Sequence, residues 1–206
     1  MALTIRNSEY RYGIIAVLLH WLIALCVIGL YIVGSIMEDM KPSLQQFELY
    51  QLHKSFGILV LALTVLRLGW RVANPQPSLP PAMPAWQQLA ARTTHWAFYG
   101  LLLAAPLAGW AMVSASSLNI PTVLFGLVEL PHIGVIASSA DKQALEGTFS
   151  ELHELAANGL LALFIVHVGA ALYHHVKLGD SVLLKMLPIS RAAFDERLAR
   201  ELNNKG

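Results

Sequence analysis

Four long apolar stretches decide most of what this 206-residue chain can fold into. They cover roughly 13–37, 50–72, 93–115 and 151–177. A helix that crosses a bilayer needs about 20 mostly apolar residues, and each stretch supplies them. Composition agrees: 56% of the chain is hydrophobic and 13% is charged, against about half and about a quarter in soluble domains. The expected fold is all-α, an integral membrane four-helix transmembrane bundle forming a single domain over 1–206.

The polar opening MALTIRNSEYRYG and the length of the run behind it argue against a cleaved signal. Five prolines in ANPQPSLPPAMPAW forbid a helix between the second and third spans and suggest a stiff, polyproline-like connector. The 116–150 connection is apolar but broken by Pro121, Gly126, Pro131 and Gly134. Turns or short helices at the membrane surface are expected there, not a fifth span. Pro106 is expected to kink the third span. A short cytoplasmic surface helix is expected at 189–204.

Orientation follows the lysine and arginine bias. In a four-span layout eleven basic residues fall on the side of the termini, among them Arg6, Arg11, Arg67, Arg71, Arg92 and Lys177. Lys41, Lys54 and Lys142 fall on the other side. Both termini are therefore expected in the cytoplasm. The outer side also carries eight acids, for a net charge of −5. Overall charge is only +1, which gives nucleic-acid binding no electrostatic support. The single cysteine, Cys26, excludes an intrachain disulfide, a Cys-x-x-Cys-His haem attachment, an iron–sulfur cluster and a cysteine-rich zinc site. It reads as a small buried hydrophobe.

Histidines inside membrane spans are costly and call for a function. His53 and His153 lie near the outer edge. His20 and His167 lie in the inner half. His153 and His167 are 14 residues apart, which returns a helix to within about 40° of the same face and about 21 Å along its axis. One face of the fourth span thus offers two imidazoles at two levels, each matched in depth by an imidazole from an earlier span.

Two facing imidazoles within a bundle suit haem iron, whose axial ligand is often histidine and whose porphyrin tolerates an apolar setting. Zinc usually needs a third or fourth protein ligand, and no Asp, Glu or Cys is available at that depth. Two axial histidines close both open iron positions, which favours electron transfer over oxygen binding. Gly57, Ala156, Ala157, Ala170 and Ala171 stand three or four residues from these histidines, where small side chains would admit a flat ring. They are equally common where membrane helices pack.

The other histidines read differently. His174 shares the His167 face but lies close to Lys177, too shallow to meet His20; it suits a propionate, a quinone head group or a proton path, or is simply interfacial. His175 points about 80° away. His95 opens the third span with no partner at its depth and reads as interfacial. His132 falls in a loop. Lys54 could pair with a propionate or snorkel to the headgroups. Arg67 and Arg71 could hold propionates or a quinone carbonyl, or report only the positive-inside bias. The five tryptophans mostly mark span ends. No Ser-His-Asp set, phosphate loop or nucleotide fingerprint is visible.

Several segments together resemble the bacterial cytochrome b561 family of four-helix, di-haem b membrane proteins. They are LLHW around His20, LHKSFGILVLALTVLRLGWR around His53, THWAFYGLLLAAPLAGW, and LHELAANGLLALFIVHVGAALYHHVKLGDSVLLKMLP. They cover most of the chain between Gly13 and Pro188. The resemblance implies that His20, His53, His153 and His167 are axial ligands of two haem b groups, paired His53/His153 and His20/His167. It implies electron exchange with ubiquinone in the bacterial inner membrane, with lipid as the surrounding partner. Some relatives are described as oxidising superoxide at the periplasmic face, a quinone-linked oxidoreductase activity. Others anchor and relay for a hydrogenase, dehydrogenase or soluble cytochrome. A superoxide substrate sits uneasily with acidic outer loops, since an anion is steered by positive potential. A haem-free transporter is the remaining alternative, but no inverted repeat or broken span supports it.

Overall fold

The structure is a computed structural model and describes residues 4–80, 83–187 and 199. Four long helices dominate it: α1 (Ile14–Glu38), α2 (Leu44–Ala73), α3 (Ala85–Ala115) and α5 (Lys142–Tyr173). A hairpin of β1 (Thr122–Leu124) and β2 (Val128–Leu130) and the short α4 (Gly134–Ala137) connect α3 to α5. A π-helical turn, His174–Leu178, extends α5, and a 3₁₀ turn spans Leu183–Met186.

All four long helices have the length and composition to cross a membrane. Only 11–28% of the residues in their most apolar windows are buried within the protein. Leu25, Ile165 and Val166 are each more than 60% exposed. Large apolar side chains facing outward on every long helix would be unfavourable in water and suit lipid. The buried set is correspondingly small-sided, with Thr64, Ser114 and Ala115 fully enclosed, as expected where helices meet in a bilayer.

The chain divides into two compact units. One takes residues 1–22, 65–98 and 161–206, the other 23–64 and 99–160. Each unit therefore receives one stretch of each long helix.

In the first unit the start of α1 is pinned locally. The Gly13 amide donates to Asn7 Oδ1 (2.9 Å) and the Ile14 amide to the Thr4 carbonyl (2.8 Å). A Cβ on Gly13 would stand 2.4 Å from the Ile5 carbonyl oxygen, so only glycine fits. The proline connector lies along this segment: Asn7 Nδ2 donates to the Pro75 carbonyl and the Ser78 amide to the Glu9 carbonyl. The C-terminal turns close on it too, through Trp21 Nε1 to the Met186 carbonyl (2.7 Å) and Lys185 Nζ to the Ser78 carbonyl.

In the second unit the hairpin is fastened to α2. Gln51 Nε2 and Lys54 Nζ both donate to the Pro121 carbonyl. The Val123 amide donates to Gln51 Oε1 and the Phe125 amide to Ser55 Oγ (2.9 Å). The turn places Phe125 at φ 51° and Gly126 at φ 72°, closed by the Leu127 amide donating to the Leu124 carbonyl, as in a type I′ turn. Positive φ is unfavourable for a bulky residue. The Ser55 bond and the contact of Phe125 with the Phe56 ring, centroids 5.3 Å apart, hold it there. At the far end Trp110 Nε1 donates to the Pro131 carbonyl and the Ile133 amide to Ser114 Oγ.

The helices begin earlier than the apolar stretches: α2 at Leu44, α3 at Ala85 and α5 at Lys142. Hydropathy marks what lipid can cover, whereas helical hydrogen bonds continue through polar turns such as Gln45–Glu48. Ser43 Oγ accepts from the Gln46 amide and starts α2. The 116–150 connection holds a short helix, as expected, but also a β-hairpin that its broken apolar pattern did not reveal. The surface helix expected at 189–204 falls, but for residue 199, outside the described residues.

Candidate functional site

Two groups of imidazoles stand out, one in each unit. In the first unit His20 of α1 and His167 of α5 face each other with ring centroids 6.2 Å apart and planes at 63°. In the second, His53 of α2 and His153 of α5 stand 6.0 Å apart at 73°. Both depth-matched pairs expected from the sequence are thus brought together.

The spacing fits a shared metal. A metal bound by an imidazole on each side, with bonds of about 2.0–2.1 Å and about 1.1 Å from nitrogen to ring centre, separates the ring centres by about 6.3 Å. Both pairs lie within a few tenths of an ångström of that value. Among the described residues no group of three or more His, Cys, Asp or Glu side chains gathers as an ion-binding set. A pair of facing rings suits a metal that brings its other ligands with it, as a porphyrin does.

His153 is oriented for this role. Its Nδ1 lies 2.7 Å from the Ala105 carbonyl oxygen. A carbonyl only accepts, so Nδ1 carries the proton and Nε2 keeps its lone pair. The His53 ring lies beside the Leu30 carbonyl, and its Nδ1 is buried without a hydrogen-bond partner among the described residues. A pocket of about 300 Å³ opens next to His53, walled by Leu25, Cys26, Leu30, Val33 and Phe56. Its apolar lining suits a hydrophobic ring. Gly57, one turn beyond His53, has open space where a side chain would project. Cys26 is a half-buried free thiol in that wall.

His95 is not isolated. Its ring stands 5.9 Å from His167, and Phe98 covers the same imidazole at 5.4 Å. The third apolar stretch begins only two residues before His95. The helix starts ten residues before it, so His95 lies well inside α3. Arg67 is within electrostatic reach of His20, His95 and His167. Arg71 reaches His95 and also stacks on Trp96 at 5.7 Å and donates to Gln76 Oε1. Lys54 donates to the hairpin.

His174 is buried and its Nδ1 lies 2.5 Å from Asp180 Oδ2. The π-helical turn and the left-handed Gly179 (φ 64°) fold Asp180 back onto it. The glycine directly after the helix was the available sequence signal for this reversal. His175 and His132 are half-buried.

Four membrane-length helices and facing imidazole pairs define a membrane protein of the haem-binding, electron-transferring kind. Comparison with known proteins gives the family. The model of Prokaryotic cytochrome b561 matches residues 11–188. The chain is 34% identical to Cytochrome b561 homolog 2 of Escherichia coli, covering 88% of this chain and 93% of the relative. It is 31% identical to Probable superoxide oxidase CybB of Yersinia pestis, covering 88% and 98%. It is 29% identical to Cytochrome b562 of Cereibacter sphaeroides, covering 88% and 98%. The chain belongs to the prokaryotic cytochrome b561 family. It is a multi-pass b-type cytochrome of the bacterial inner membrane, acting in electron transfer.

Proposed function

We propose that the protein carries two haem b groups and passes electrons across the membrane to the ubiquinone pool. His53 and His153 would ligate the outer haem, His20 and His167 the inner one, with both termini in the cytoplasm. The observation that carries this reading is the pair of ring separations, 6.2 and 6.0 Å, each matched to one bis-imidazole metal. When bound, haem iron supplies one-electron chemistry. The chain supplies the ligand nitrogens, their orientation and an apolar surround that excludes water. Arg67, within reach of three inner imidazoles, supplies positive charge for carboxylates at the inner site.

Superoxide is the donor suggested by the Yersinia pestis relative's name. Two superoxide anions release two electrons and leave as oxygen; one quinone takes both electrons and two protons. A second reading makes the chain a relay for a partner dehydrogenase, hydrogenase or soluble cytochrome. The acidic outer loops, at a net −5, favour it, since they attract a basic protein and repel an anion.

The test is a dithionite-reduced minus oxidised visible spectrum with haem counted per chain. A featureless spectrum would sink the cytochrome reading for these histidines. His167→Ala should remove one haem and His175→Ala neither. Superoxide-dependent ubiquinone reduction by the purified chain separates the two donors; no turnover without a partner selects the relay.

A further inference from the structure

Gly109 and Ala105 stand one helical turn apart on α3, and the His153 imidazole turns its Nδ1–Cε1 edge to the backbone between them. A Cβ at Gly109 would fall 3.1 Å from Nδ1 and 3.2 Å from Cε1 of His153. Ordinary carbon contacts begin nearer about 3.5 Å, so a side chain at this position would press the ring aside by a few tenths of an ångström. The same close approach brings Nδ1 to 2.7 Å from the Ala105 oxygen. That carbonyl also receives the Gly109 amide as part of the helix, and its second lone pair takes the imidazole proton.

His53 repeats the arrangement on α1 in looser form. Its Cε1 and Nδ1 face Gly34 at 3.4 and 3.8 Å from a would-be Cβ. The Leu30 carbonyl faces the ring from one turn before Gly34, in a looser contact than the Ala105–His153 hydrogen bond. The two rings of one pair therefore differ in tightness: His153 is tied to a helix backbone by a short hydrogen bond, and His53 leans on one more loosely.

We propose that Gly109 and the Ala105 carbonyl are positioning residues of the outer site, fixing the His153 imidazole with Nδ1–H engaged and Nε2 presented to the iron. The inference rests on the haem reading of this pair. A hydrogen bond that draws on the Nδ1 proton makes the ring a stronger donor, and such partners tune metal affinity and potential. A stronger donor favours the ferric state and lowers the midpoint potential. The Ala105 hydrogen bond thus helps to set the outer potential.

The experiment is Gly109→Ala in the full-length protein, with Gly100→Ala as control. Gly100 is nine residues earlier, on about the opposite face of α3, and its Cβ would meet nothing within 4 Å. Haem per chain, a redox titration and the low-spin ferric EPR signals are read on wild type and both variants. The expected result for Gly109→Ala is a positive shift of one midpoint and one EPR signal, or loss of one haem in two, while the inner haem's signals persist and certify the fold. Gly100→Ala should match wild type. Unchanged midpoints and signals in Gly109→Ala would overturn the inference, as would equal loss of both haems. A wild-type chain without haem, or with haem untouched by His153→Ala, would remove the underlying reading, and the inference with it.

Discussion

The inner site poses a choice that ring spacing alone does not make, because His20 and His95 stand 6.2 and 5.9 Å from His167. Charge favours His20. His95 is within electrostatic reach of both Arg67 and Arg71, and His20 of Arg67. The neighbourhood of two guanidiniums suits carboxylates, and the less cationic His20 suits an iron. His20→Ala is therefore expected to empty the inner site. The remaining nitrogen would face a gap of 6.2 Å to the position of the lost ring centre, which a bond of about 2 Å does not span. Losing a partner of a ligand already costs about 10–100-fold in metal affinity. Losing the ligand itself should cost at least about 100-fold, or about 2.8 kcal/mol. His95→Ala should keep both haems and shift only the inner midpoint. Haem per chain, measured by pyridine haemochrome on the two variants purified in parallel, reads the outcome directly. Two haems retained in His20→Ala together with one lost in His95→Ala would refute the charge argument and make His95 the ligand.

Three other outcomes follow from particular contacts. Ser55→Ala removes the acceptor of the Phe125 amide from a site 1% exposed and should loosen the hairpin by about 1–3 kcal/mol, seen as faster proteolysis within 122–130 while both haems remain. Asp180→Ala leaves the buried His174 Nδ1 without its partner and should lower stability by a similar amount, about 1–3 kcal/mol, measured as a fall in the thermal midpoint of the detergent-solubilised protein. If superoxide is the donor, its oxidation should speed up as salt screens the net −5 of the outer loops; a rate that falls with salt would mean that a local positive patch steers the anion.

Some of this was legible in the residues and some was not. The pairing of His53 with His153 and of His20 with His167 could be read from depth, because a helix in a bilayer converts sequence position into height. The 14-residue interval that puts His153 and His167 on one face is likewise a property of a single helix. His95 was misread for the converse reason: apolarity located the lipid-covered part of α3, not the helix start, and placed a well-enclosed ring at an edge. The hairpin was hidden because its strands are three residues each and depend on Gln51, Lys54 and Ser55 of another element. The fold of Asp180 onto His174 needed a π-helical turn that no periodicity announces.

The sequence by itself determined the class of fold, the number of membrane-length helices and the imidazole levels. Each of these follows from local hydropathy or from the pitch of one helix. Tertiary structure alone decided how the rings are held: the Ala105 carbonyl against His153, the bare backbone of Gly109, the looser seat of His53 on Gly34, and His95 beside His167. These depend on which faces of different helices touch, to within a few tenths of an ångström, and side-chain packing between segments distant in the chain leaves no periodic trace in either.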